Sequence, residues 1–192
     1  MRGEELLGLY EREGALLRGH FLLRSGKHAE RYLQSALLLS RPPLAEKAGE
    51  TLADLIREFG PRTILAPALG GIVIGHETAR ALGARAIFAE RREDRFLLRR
   101  GFRLAPGEPV AVVEDVVTTG GSLRSVIDMA ERLGAKVVAV AALVDRSEGR
   151  ARIPVPFRPA ATLELAVYDP ASCPLCREGI PIDEPGSRGD DA

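Results

Sequence analysis

The chain has 192 residues, 45 % hydrophobic and 28 % charged, with 27 Lys plus Arg balanced by 27 Asp plus Glu. That length suits one domain able to bury a core without staples, and the zero net charge removes the overall basic field that a non-specific nucleic-acid binder would use. The longest apolar run, residues 137–144, is too short to cross a membrane, and two cysteines exclude a disulfide-rich scaffold; with an acidic start where a secretion signal would be apolar, the expected compartment is the cytosol.

Leu6, Leu9, Tyr10, Leu16 and Leu17 recur at near-helical spacing, which predicts a helix over residues 4–17, bent at Gly14. Strands are predicted over 20–24 and 32–39, joined by the polar turn Ser25-Gly26-Lys27-His28 into a hairpin. Pro42-Pro43 then opens a helix whose apolar stripe runs from Ala45 to Phe59. From there strand and helix alternate: strand 63–66, helix 71–82, strands 86–89 and 110–113, helix 122–133, strand 137–144. Continuous apolar strands alternating with helices indicate an α/β fold with a mainly parallel central sheet covered on both faces, which binds ligands at the carboxyl ends of its strands. The expected organisation is a single domain in three parts: an N-terminal helix and hairpin over 1–41, the α/β core over 42–169, and a Cys-containing tail over 170–192, ordered at best in part.

The segment richest in chemistry is Glu114-Asp115-Val116-Val117-Thr118-Thr119-Gly120-Gly121-Ser122. An apolar strand ends there in two carboxyls and a turn of hydroxyls and glycines, with a helix directly behind. Ser122 is expected near the N-cap, where the first free N–H groups of the helix, the helix dipole and the hydroxyls favour a phosphate monoester. Neither GxxxxGK[ST] nor GxGxxG occurs, so the turn is neither an ordinary triphosphate loop nor a dinucleotide fingerprint. Two carboxyls at the end of an apolar strand are costly unless they meet donors or a cation, and vicinal sugar hydroxyls supply donors. A solvated acid beside a helix-capping one is the alternative.

This strand, acid pair and Thr-Thr-Gly-Gly-Ser turn resemble the phosphoribosyl-diphosphate motif of type I phosphoribosyltransferases. Leu23-Arg24-Ser25-Gly26-Lys27-His28 with Tyr32-Leu33, and Asp145-Arg146 after the last long strand, are similar to orotate phosphoribosyltransferases within that family. The resemblance implies the type I fold with a hairpin hood, and transfer of a phosphoribosyl group from phosphoribosyl diphosphate to orotate with release of pyrophosphate. It implies that Glu114 and Asp115 hold ribose hydroxyls and residues 116–122 the 5-phosphate, with Arg24, Arg91 and Arg92 on the diphosphate. Thr118, Arg146 and Arg24 fall at the orotate, Asp115 and Arg95 in the catalytic role. Mg2+ is implied as the cofactor accompanying the diphosphate, with no direct protein ligand, and a homodimer sharing an active-site loop as the assembly. No nucleic acid or membrane partner is expected.

The implied loop lies between residues 90 and 103, where six Arg meet three acids. Guanidinium groups bind phosphate oxygens bidentately at any working pH and suit a departing pyrophosphate. Arg91, Arg92, Arg95 and Leu97 align with the family's Arg-Lys-x-x-Lys-x-His, so lysine is replaced by arginine and histidine by an apolar residue; electrostatic stabilisation is the role that survives. An exposed charged ribbon or an RNA patch is the bland reading of such a run. Ala66-Pro67-Ala68-Leu69-Gly70-Gly71 is a second strand-to-helix turn, similar to a pyrophosphate loop or simply suited to tight packing. His76 reads as a helix-face residue and neither His20 nor His28 as a base. Cys173-Pro174-Leu175-Cys176 has the spacing of half a zinc knuckle or a redox pair; without a second pair or a histidine nearby in sequence it reads as two free thiols or a local disulfide, unless two subunits join four thiolates. The rivals are a purine-base phosphoribosyltransferase and a non-catalytic phosphoribosyl-diphosphate sensor that binds nucleic acid.

Overall fold

The structure is a computed structural model describing residues 1–23, 25–93 and 95–185. A six-stranded sheet forms its centre, in the order β5(Arg95–Leu98), β4(Arg85–Arg92), β3(Thr63–Pro67), β6(Pro109–Val117), β7(Lys136–Asp145), β8(Phe157–Thr162). Every pairing is parallel except β4 with β5. The apolar runs are explained by burial on two sides. Along β6, Ala111 and Val113 enter the core beneath α3(Pro42–Ile56) and α4(Gly71–Leu82), whereas Val110 and Val112 enter the core beneath α5(Gly121–Arg132). A strand buried on both faces has no polar alternation to show, as expected of parallel sheets.

The N-terminal region departs from its predicted elements. The first helix, α1(Glu4–Arg12), stops short, and Leu16 and Leu17 begin β1(Leu16–Leu22) rather than extending the helix. β2(His28–Leu33) pairs with it antiparallel, so the hairpin is present but shifted. The predicted strand 32–39 divides at Gln34: residues beyond it form the helix α2(Ser35–Leu39). A short apolar run has no periodicity that separates strand from buried helix, and here Leu38 and Leu39 join the α3 side of the core. Gly3 N–H donates to Ala160 O at 2.9 Å, tying the start of α1 to the edge strand β8.

Sequence reasoning missed β5, β8 and β9(Val167–Tyr168). The predicted arginine loop is therefore in large part a β4–β5 hairpin on the sheet edge. Residues 170–185, the described part of the tail expected to be ordered at best in part, have definite structure. β9 adds to β2 to make a three-stranded hood sheet, a 3-10 turn over Pro170–Ser172 and the short helix α6(Pro174–Arg177) follow, and Asp183 returns to bridge Phe21. Residues 186–192 lie outside the described residues, as does Arg24.

Candidate active site

β6 carries its hydrogen-bonded ladder beyond the predicted strand, through Glu114 and Asp115 to Val117, whose ladder partner is Asp145. The acids are thus fixed on a strand rather than a loose turn. Each anchors locally: Asp115 N–H donates to Glu114 Oε1 at 3.1 Å, and Val116 N–H to Asp115 Oδ1 at 2.8 Å. Glu114 is buried and Asp115 half-buried. Burial, then the charge and hydrogen bonding of Asp115, push the Glu114 carboxyl well above the usual carboxylate range, so Glu114 is suited to hold a proton and to donate as well as accept.

The phosphate turn follows. Gly120, not Ser122, is the N-cap of α5; its φ of 73° lies in the left-handed region that favours glycine. Ser122 therefore sits two residues after the cap, in the first turn, near the N-cap as expected. Thr119 O accepts from Arg124 Nη1 at 3.2 Å and Thr119 Oγ1 from Gly121 N–H at 3.4 Å, so the turn is held from behind while Thr118 and Thr119 remain exposed. Glu114, Val116, Val117, Thr118, Thr119, Gly120, Gly121, Ser122 and Leu123 surround a cavity of about 50 Å³. One water needs about 10–15 Å³, so this space takes a group of several heavy atoms.

The second strand-to-helix turn lies directly against the acid pair. A β-carbon added at Gly70 would stand 3.0 Å from Asp115 Oδ2, and one at Gly71 3.1 Å from Glu114 Oε1 and 3.2 Å from Val113 O. Only glycine lets the Ala68–Gly71 backbone approach so closely. The start of α4 thus faces the same carboxyls as the start of α5, and two helix termini with their free N–H groups converge there.

Arg146 approaches from the third side. Its N–H donates to Val117 O at 2.7 Å, which fixes the end of β7 beside the end of β6. Among the described residues its Nε is buried with no hydrogen-bond partner, as is Ser147 Oγ, and burial lowers the tendency of the guanidinium to hold its proton. A buried donor left open is costly unless a partner fills it. Tyr32, on β2, faces both groups: burial, then the Asp115 charge, raises its phenol, and Arg146 opposes the rise. Tyr32 is a neighbour of the candidate site that spacing alone did not single out, although it stood within the hairpin segment that carried the resemblance.

The arginines stand apart. β5 is separated from β6 by β4 and β3, three strand spacings or about 14 Å. Arg91, Arg92 and Arg95 are exposed there, and Arg91 stacks 5.0 Å from the Phe96 ring centre. Arg99 and Arg100 are engaged by Glu90 at 3.3 and 2.7 Å, which holds that carboxyl below its usual range. Arg95 and Leu97 line a larger groove of about 760 Å³ that reaches Met129 and Leu133. That groove opens about 12 Å further along α5 than the phosphate turn, so it is not the phosphate site. The structure therefore brings together Glu114, Asp115, residues 116–122 and Arg146, and leaves Arg91, Arg92 and Arg95 outside that group.

A parallel sheet whose strand ends join an acid pair to two glycine turns defines a phosphoribosyltransferase, and the phosphoribosyl transferase domain family matches residues 35–157. Over 181 residues the chain is 50 % identical to the orotate phosphoribosyltransferase of Thermotoga maritima, covering 94 % of this chain and 97 % of that one. It is 50 % identical over 190 residues to the enzyme of the same name from Heliobacterium modesticaldum, covering 98 % and 100 %. The crystal structure of orotate phosphoribosyltransferase from Aeropyrum pernix matches with a TM-score of 0.69 at 27 % identity, over 82 % of this chain and 93 % of that one. The chain belongs to the orotate phosphoribosyltransferase family.

Proposed function

We propose that this chain joins N1 of orotate to the anomeric carbon of phosphoribosyl diphosphate, giving orotidine monophosphate and pyrophosphate. The observation that carries the reading is the meeting of both glycine turns on one carboxyl pair, Gly70 against Asp115 and Gly71 against Glu114. A sugar with its 5-phosphate in the 118–122 turn has its hydroxyls at those carboxyls and its diphosphate at the 68–71 turn. The bond from the anomeric carbon to the diphosphate oxygen breaks as the bond to N1 forms, and the N1 proton passes to pyrophosphate or water without an obligatory base. The ring carries positive charge in the transition state and the leaving group gathers negative charge, so carboxyls beside the sugar and N–H groups beside the diphosphate stabilise both. Arg146, with its open Nε, pairs with the carboxylate or carbonyl edge of orotate, and Thr118 touches the same ligand.

Magnesium fits this donor set as an ion carried by the substrate. Two carboxyls, one of them holding its proton, fall far short of an all-protein octahedral shell, and Mg2+ ordinarily takes its oxygens from phosphates and water. When bound it would neutralise charge on the diphosphate. Arg91, Arg92 and Arg95, at a sheet edge away from their own acid pair, complete the site of a second copy, which makes the working form a homodimer. The reaction runs in the cytosol; no helix among the described residues is long and apolar enough to cross a membrane.

The test is incubation with Mg2+, phosphoribosyl diphosphate and orotate, following loss of orotate absorbance, with adenine and hypoxanthine in parallel. Turnover with orotate alone is the expected outcome. Turnover with a purine instead, or none with any base despite tight phosphoribosyl-diphosphate binding, would overturn it.

A further inference from the structure

His20, His28, Cys173 and Cys176 come together at the hood, outside the site described above and independent of its chemistry. One ligand atom from each lies within 4.8 Å of the others. His20 Nε2 is 2.8 Å from His28 Nδ1, 3.6 Å from Cys173 Sγ and 3.7 Å from Cys176 Sγ, and Cys176 Sγ is 3.3 Å from His28 Nδ1. His20, His28 and Cys173 are buried, and both cysteines are free thiols. The geometry points to a structural zinc site with two imidazole and two thiolate ligands, fastening the hood hairpin to the C-terminal segment.

Bonds of about 2.0–2.1 Å to nitrogen and about 2.3 Å to sulfur give tetrahedral edges of about 3.3–3.8 Å. Three sulfur–nitrogen separations, 3.3, 3.6 and 3.7 Å, already match those edges; the two histidines need to part by about half an ångström and the widest pair, within 4.8 Å, to draw in by about one. Soft thiolates with imidazoles in a four-membered set select zinc over magnesium or calcium. The tautomer of His20 is set for ligation: its Nδ1 lies 2.7 Å from Ile180 O, which can only accept, so Nδ1 carries the proton and Nε2 turns a lone pair toward the sulfurs. Binding zinc converts the two thiols to thiolates and releases their protons to solvent.

The local backbone builds this arrangement. His28 is the ladder partner of Leu22, and Gly19 and His20 together face the single residue Glu30, a bulge that leaves His20 diagonal to His28 on one side of the hairpin. The C-terminal segment arches over that side, pairing with β2 through β9 and with β1 through Asp183, whose N–H donates to His20 O at 2.8 Å and whose O accepts from Leu22 N–H at 2.9 Å. The spacing Cys-x-x-Cys places both sulfurs beneath the arch.

The experiment uses the untagged, full-length chain, purified under reducing conditions without added metal. Elemental analysis should find about one zinc per chain, lost in the Cys176→Ser and His28→Gln variants. Stripping the metal with a strong chelator should lower Tm, zinc should restore it and magnesium should not. Cobalt(II) added to the stripped chain should give the visible bands and thiolate charge-transfer absorption of a tetrahedral site. Should the variants fail to fold, the metal content and cobalt spectrum of the unaltered chain decide alone. Protein that carries no zinc and, once reduced, takes up neither zinc nor cobalt in this form would overturn the proposal; so would an isolated Cys173–Cys176 disulfide that binds no metal after reduction.

Discussion

Glu114 and Asp115 are neighbours with unlike surroundings, and that difference separates their roles. Glu114 is buried with its carboxyl pushed up, so glutamine at that position keeps a neutral donor and acceptor of the same shape. In the proposed reaction Asp115 supplies the charge beside the ribose, and an Asn there retains the acceptor for Val116 N–H while losing that charge. Asp115→Asn is therefore expected to lower kcat/KM by about 10²–10³-fold, and Glu114→Gln by about tenfold at most. Steady-state kinetics with orotate check both; equal losses would contradict the division. The same carboxyl makes a stability prediction. Its folded pKa lies above its ordinary 4.5, so folding takes up protons through it and stability falls as pH rises from 4.5 through the raised value. Glu114→Gln removes that loss, and its denaturation midpoint should gain on the parent chain's as pH climbs toward neutrality. A pH-independent difference would show that the group is not held protonated.

At the scale of elements, α3 and α4 meet closely enough that a β-carbon at Gly49 would stand 2.5 Å from the Glu77 backbone. Gly49→Ala forces the helices apart and is expected to cost about 1–3 kcal/mol, lowering Tm by several degrees while kcat per folded molecule holds; thermal unfolding beside active-site titration checks it. The alternating strand and helix pattern from Thr63 to Asp145 was legible because both helices have clean apolar stripes and their strands are continuous apolar runs. α4 matched to the residue. The acid pair and the phosphate turn were legible for a related reason: polar residues at the end of an apolar strand need partners, and local sequence shows the lack of them. Where pairing at a distance decides, the reading failed. Leu16 and Leu17 continue a helical period yet join β1 because Leu33 and Tyr32 face them, and β5 is a charged segment made into a strand by β4.

At the scale of the whole molecule, the separation of the arginine hairpin from the acid strand predicts complementation between subunits. Arg95→Ala and Asp115→Asn chains should each be weak alone. Unfolded together and refolded, half the dimers are mixed, each with one complete site, so about a quarter of the parent activity should return. No recovery would mean that the arginines serve their own chain or none. The hood was illegible for a matter of distance: the cysteines lacked a nearby histidine in sequence, yet His20 lies 153 residues from Cys173 and touches it.

That same span orders the birth of the protein. On the ribosome the hairpin strands emerge early, but the edge of β2 stays open until β9 arrives, and the other edge until Asp183 does. An open strand edge is a template for pairing with another chain. The α/β core has all its strands before then, so the hood is the portion that nascent chains expose longest, and loss of residues 167–183 would leave a folded core carrying an unguarded hairpin.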